Sequence, residues 1–249
     1  MSSDAMRAAT TTITGHNGDE IEAYLAEPAG RGTVPGVLVF HHMPGYDRES
    51  KEVCRTFAVR GYAALMPNLF HRFAPGARWQ DAAAAARDAG GVPDEQAMGD
   101  GRGAIEHLRS LADSSGKIGV IGYCSGGRQT YIAACTLDVD AAVDCYGGGV
   151  VPDERWSVTP QRPVPPIDMT PDMRCPLLGL FGDLDQSPNP EHVARTRKEL
   201  EAHGKTFEFF QYPQAGHGFF SVDYPNYHRD SARDGWKQIW RFFGEHLGA

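Results

Sequence analysis

Residues 117–127 read Lys-Ile-Gly-Val-Ile-Gly-Tyr-Cys-Ser-Gly-Gly, and few folds accept such a run. Ile118, Val120 and Ile121 form a short apolar segment of β-branched side chains, bounded by Ser-Ser-Gly on one side and by glycines on the other. That is the profile of a strand covered on both faces, as in a parallel sheet. Gly122-Tyr123-Cys124-Ser125-Gly126 then has the G-x-S-x-G spacing of a nucleophile elbow, with cysteine in the serine position. A strand that turns directly into a helix brings the residues two before and two after the nucleophile close together. Glycine, having no Cβ, leaves room there. Cys124 is thereby placed at a helix N-terminus, where the backbone dipole favours an anion. An isolated cysteine is ordinarily a buried structural residue, and Cys54, Cys135, Cys145 and Cys175 are read so. The setting of Cys124 makes it the candidate nucleophile.

A chain of 249 residues with 41% apolar content can bury a full core, and 1–249 is read as one large α/β domain. The formal net charge is -8 with no basic stripe, so nucleic acid is not an expected partner. Five widely spaced cysteines, none in a CxxC pair, suggest neither a disulfide framework nor zinc. Reduced thiols and a cytoplasmic location are expected. The first residues lack a secretory apolar core, and the apolar runs are too short to span a bilayer. The expected partner is a small molecule, with no cofactor and no metal, bound by a monomer or small homo-oligomer.

Segments 10–14 and 21–26 read as strands joined by the Asn17-Gly18 hairpin signal, forming an antiparallel pair at one edge of the sheet. Buried strands are expected at 36–41, 62–66, 118–121, 141–146, 177–182 and 206–212. Helices are expected at 47–60, 78–89, 94–111, 127–135, 190–203 and 227–247. The last of these is expected to pack Trp236, Ile239, Trp240 and Phe243 on the sheet. The pattern predicts an α/β-hydrolase-like arrangement: about eight strands, mostly parallel, with helices on both faces. The proline-rich segment 150–172 has no period and reads as an irregular excursion over the surface.

Three candidates follow strands in the order nucleophile, acid, histidine: Cys124, Asp185 and His217. That is the chain order of the α/β-hydrolase triad, in which the histidine takes the nucleophile's proton and the aspartate fixes its tautomer. Asp183 competes with Asp185 for the acid position. In such enzymes the oxyanion is held by the N–H after the nucleophile, here Ser125, and by one from the loop after an earlier strand. In His42-Met43-Pro44-Gly45, proline has no N–H, which leaves Met43 as the second donor. His42 is read as a base, a substrate contact or a positioning group, and equally as a loop histidine bonded to backbone. Arg72, Arg78 and Arg87 lie in the irregular stretch 68–93 and are candidates for a substrate carboxylate, or plain surface charges.

Gly122-Tyr123-Cys124-Ser125-Gly126-Gly127 resembles the G-[YF]-C-x-G-G elbow of the dienelactone hydrolase (carboxymethylenebutenolidase) family. Ala215-Gly216-His217-Gly218-Phe219 resembles its A-G-H-x-F motif, and Gly182-Asp183-Leu184-Asp185 its G-x-x-D acid loop, which favours Asp185. Gly61-Tyr62-Ala63-Ala64, Asn68-Leu69-Phe70 and Ala74-Pro75-Gly76 also match, so the resemblance runs from about residue 21 to the C-terminus. It implies a cofactor-free hydrolase that opens dienelactone or a related ester through a thioester. It also implies that Arg87 meets a substrate carboxylate, and His42, Arg87 and Tyr123 are the expected substrate contacts. Two positions depart from the family pattern: His42 stands where typical members carry glutamate, and Ser221 where dienelactone-binding members carry arginine. The second reading is a ligand-binding or redox-sensing protein that keeps the fold without turnover.

Overall fold

The computed structural model describes residues 6–30 and 32–248. Eight strands form one sheet: β1 (Met6–Thr14), β2 (Glu20–Pro28), β3 (Val34–Phe40), β4 (Ala63–Pro67), β5 (Ser114–Tyr123), β6 (Ala141–Cys145), β7 (Leu177–Gly182) and β8 (Phe207–Tyr212). Their spatial order is β1-β2-β4-β3-β5-β6-β7-β8. β1 pairs antiparallel with β2, and β2 antiparallel with β4; every other pair is parallel. The eight-stranded, mostly parallel sheet with an N-terminal antiparallel pair is the expected architecture.

Why these segments are strands follows from their two-sided burial. Every residue of β3, β4, β6 and β7 is buried. In β3, Leu38 and Phe40 enter one core cluster while Val37 and Val39 enter the other, as alternation across a pleat requires. β1 buries only Ile13 fully, consistent with its place at the edge. β5 begins at Ser114, earlier than its apolar run, because Val34 supplies a ladder partner there.

Among the described residues six α-helices cover the sheet: α1 (Arg48–Val59), α2 (Trp79–Asp88), α3 (Asp94–Ser110), α4 (Ser125–Thr136), α5 (Pro190–Ala202) and α6 (Arg229–Leu247). α3 and α4 pack on one face, where Ala104, Leu108, Tyr131 and Ile132 join the first cluster. α1 and α6 pack on the other, where Phe57, Ile239 and Phe243 join the second. Asp47 caps α1 by accepting from the Ser50 N–H at 2.8 Å. Trp236 and Trp240 depart from expectation. They stack on each other at 4.9 Å, and Phe57 of α1 meets Trp240 at 5.0 Å, so they fill the seam between two helices rather than the sheet surface. None of the described helices is long and apolar enough to cross a membrane.

The glycines at the start of α4 answer to space. A Cβ on Gly122 would overlap the Gly126 carbonyl, and one on Gly126 would overlap the Phe40 carbonyl. Gly116 differs: its φ is +81° and nothing lies near the missing Cβ. Gly122→Ala is therefore expected to lose about 3 kcal/mol or more, since backbone cannot yield as a side chain can. Gly116→Ala is expected to lose only the left-handed strain of about 1–2 kcal/mol. Urea denaturation of both variants checks the ordering.

Candidate active site

The turn from β5 into α4 consists of Cys124 alone, held at φ 56° and ψ -119°. Side chains avoid that region, and residues kept there cluster at functional sites. The Cys124 N–H donates to the Cys145 carbonyl at 3.0 Å, tying the turn to β6. Cys124 itself is half-buried and borders a cavity of about 130 Å³ together with His42, Met43, Tyr146, His217 and Ser221.

His217 arrives from the loop after β8, and Asp185 from the loop after β7. His217 Nδ1 and Asp185 Oδ2 are 2.8 Å apart, and Asp185 is 1% exposed. The other carboxylate oxygen of Asp185 accepts from the Ser187 N–H at 2.8 Å, so both oxygens are engaged. Asp183 faces solvent, where it accepts from Gln211 at 3.4 Å. The two aspartates thus lie on opposite sides of one turn. The Tyr146 ring stands edge-on to the His217 ring at 5.1 Å and limits its movement. Burial favours a neutral His217 ring, but hydrogen bonds to Asp185 and then Cys124 outweigh it and lift the imidazole to about 10. With Nδ1 committed to Asp185, Nε2 is the nitrogen left for Cys124.

Among the described residues, neither the Ser125 N–H nor the Met43 N–H has a hydrogen-bond acceptor. For Ser125 this follows from its place in the first turn of α4, where N–H groups lack intrahelical partners. His42 lines the Cys124 cavity, with Nε2 3.4 Å from Asp47 Oδ2. Burial pushes the Asp47 carboxyl up, but His42 and Ser50 more than offset this and hold it down at about 2. His42 is therefore a cavity residue on a carboxylate rather than a loop histidine on backbone. Its neighbour His41 takes the backbone role: Nδ1 lies 2.9 Å from the His42 carbonyl, and Nε2 accepts from the Leu69 N–H.

The three irregular-stretch arginines separate. Arg72 is tied to Asp100 and Asp19, and Arg78 to Asp81 on the surface. Arg87 borders a second cavity, of about 280 Å³, whose walls include Met43 and Ser125. Tyr123 does not reach either cavity. It precedes the turn on β5 and points into the second core cluster, its ring against Tyr146 and Phe220. Several cavity residues escaped the sequence reading. Tyr146 precedes a glycine run with no period, and Trp156 and Arg162 lie in the proline-rich segment. Gln129 follows the elbow on α4, one turn along; that spacing was the available signal.

The sheet, the elbow turn and the loops that deliver histidine and aspartate to it make this an α/β-hydrolase fold. The sequence model of the dienelactone hydrolase family matches residues 21–247. The chain belongs to that family, and it is a hydrolase of the lactone and carboxylic-ester class. A Salmonella typhimurium protein named as a candidate carboxymethylenebutenolidase is 34% identical over 98% of this chain and 89% of its own length. A Bradyrhizobium protein, named as a probable 2-oxo-3-(5-oxofuran-2-ylidene)propanoate lactonase, is 27% identical over 94% of this chain and 92% of its own. The crystal structure of a candidate dienelactone hydrolase from Klebsiella pneumoniae superposes with TM-score 0.87 at 29% identity, covering 97% of this chain and 99% of that one.

The His217–Asp185 bond is expected to govern the titration of the ring. Followed by ring 13C shifts, His217 should hold both protons until the pH nears about 10. In Asp185→Asn the midpoint should fall toward the ordinary histidine value of about 6.5. Because the folded value is raised, the linked stability is fully present below about pH 6.5 and is lost as pH rises through about 10. An unchanged midpoint in Asp185→Asn would deny the aspartate this role.

Proposed function

We propose that the protein hydrolyses a small lactone or carboxylic ester through a Cys124–His217–Asp185 triad and a thioester acyl-enzyme. The observation that carries this reading is the 2.8 Å Asp185–His217 pair, delivered to the same cavity as a strained Cys124. In the resting pair the thiol proton already sits on His217 Nε2, and the thiolate sulfur attacks the carbonyl carbon. The oxyanion is received by the Met43 and Ser125 N–H groups, two donors that no acceptor among the described residues occupies. As the tetrahedral intermediate collapses, the leaving oxygen takes the proton from His217. His217 then deprotonates a water that attacks the thioester, and the carboxylic acid product leaves with Cys124 restored. Asp185 orients the ring and stabilises its charged form throughout. The raised titration of His217 supports this role, because the ring holds the proton it receives until the leaving group needs it.

His42 and Arg87 are proposed to touch the substrate, His42 from the Cys124 cavity and Arg87 from the adjoining one. The lactone in the Bradyrhizobium relative's name bears a carboxylate, which matches an arginine near the cleft.

A chromogenic short-chain ester tests the reading. Wild-type protein should turn it over, and acid quenching should trap an acyl group on Cys124, located by peptide mass. Cys124→Ala should lose about a thousandfold or more in kcat/KM and carry no adduct. Undiminished turnover in Cys124→Ala would overturn the proposal. An adduct that never turns over would favour a binding or redox-sensing protein instead.

A further inference from the structure

Two histidines line the Cys124 cavity, and each rests on its own buried carboxylate. The two pairs are built alike. Asp185 takes the Ser187 N–H on one oxygen at 2.8 Å and turns the other to His217 Nδ1. Asp47 takes the N–H and the hydroxyl of Ser50 on Oδ1, at 2.8 and 2.7 Å, and turns Oδ2 to His42 Nε2 at 3.4 Å. A carboxylate pinned on one side and aimed at an imidazole on the other sets the tautomer of the ring. The triad uses only the first of these pairs.

His42 is held from its backbone outward. Its carbonyl accepts from the Gly45 N–H at 2.6 Å, and His41 Nδ1 lies 2.9 Å from the same oxygen. Tyr224, itself a wall of the cavity, stands edge-on to the His42 ring at 6.4 Å. Nε2 is shut away from solvent beside Asp47, which leaves Nδ1 as the nitrogen that can take a proton. The 3.4 Å separation is long for a hydrogen bond. A ring that gains a proton closes on the carboxylate, because the charge-assisted bond is shorter. At about 130 Å³ the cavity has room for a thioester carbonyl and a water, and little else.

What a second base adds depends on the leaving group. From an open-chain ester the alcohol departs after acylation, and neutral His217 is free to serve the incoming water. From a lactone it does not depart. Ring opening leaves the new hydroxyl on the acyl chain itself, beside the His217 nitrogen that has just protonated it. There it stands poised to re-attack the thioester, with the advantage that any tethered nucleophile has over a free one. A water served by His217 would have to displace the group that drives the reverse reaction.

We infer that His42, oriented by Asp47, is the base that delivers water to the acyl-enzyme of a lactone, from the side of the cavity that His42 lines. The inference rests on the hydrolase reading and adds a second route for ring substrates. His42 Nδ1 takes a proton from water as the water oxygen bonds to the thioester carbon, and the carbonyl electrons move onto the oxygen held by Met43 and Ser125. Collapse breaks the carbon–sulfur bond and returns the thiolate. The new carboxylic acid gives its proton to neutral His217, which restores the resting pair, and His42 releases the water proton to solvent. The sum is lactone plus water giving a hydroxy-carboxylate and one proton.

Dihydrocoumarin and phenyl propionate test this, the first being the ring-closed counterpart of the second with the same carbonyl and phenolic oxygen. Wild type should turn over both. His42→Gln should lower the lactone-to-ester ratio of kcat by about a hundredfold, with an adduct of the full lactone mass building up on Cys124. Asp47→Asn keeps a residue that can cap α1 and should lower the same ratio by about tenfold or more. A purely structural lesion would slow both substrates alike and leave the ratio unmoved. Arg60→Gln, at the opposite end of α1 from Asp47, should keep the wild-type ratio. An unchanged ratio in His42→Gln, or a wild type that opens the ester and not the lactone, would overturn this inference and leave the hydrolase reading standing. A wild type inert toward both, with no adduct on Cys124, would overturn the hydrolase reading and this inference with it.

Discussion

One backbone torsion organises the molecule. A cysteine at φ 56° costs about 1–3 kcal/mol, and it persists only where the surroundings leave no alternative. Here β5 is pinned between β3 and β6, α4 is buried along most of its length, and the Cys124 N–H is bonded to β6. Between two elements that cannot move, a single residue makes the whole change of direction. The sulfur is turned out of the sheet and the next N–H is left without a partner. The glycines at 122, 126 and 127 follow from the same constraint, because the helix start lies against the carbonyls of β3 and the Asp144 carboxylate.

A second consequence concerns electrostatics. The sheet presents its strand ends to one rim, and the groups gathered there set one another's proton affinity. His217 is raised by its partners, His41 is lowered by burial, and Asp47 is held down despite burial by its hydrogen bonds. Two histidines adjacent in sequence, His41 and His42, take opposite assignments. One is locked neutral between backbone groups and aromatic rings; the other faces the cavity beside a carboxylate.

Much of this was legible in the residues. β7 was readable at 177–182 because Leu177–Gly182 is buried on both faces and needs no polar alternation. The elbow was readable because close backbone approach leaves glycine a unique mark. Element ends were less so: whether Ser114 belongs to β5 depends on Val34, eighty residues earlier. Tyr123 shows a different limit. A residue beside the proposed nucleophile in sequence points the opposite way in a strand, into the core rather than toward the cavity. Arg162 and Trp156 were invisible because no period governs 150–172; tertiary packing alone brings them to the cleft.

The rim of the cleft is thus contributed by chain that obeys no regular repeat, while the reacting turn is clamped between strand and helix. Lengthening or recutting the 150–172 excursion would change which molecules are admitted without disturbing the torsion at Cys124. On the proposed reading, selectivity and reactivity reside in separate pieces of polypeptide, which leaves the first free to drift while the second stays put.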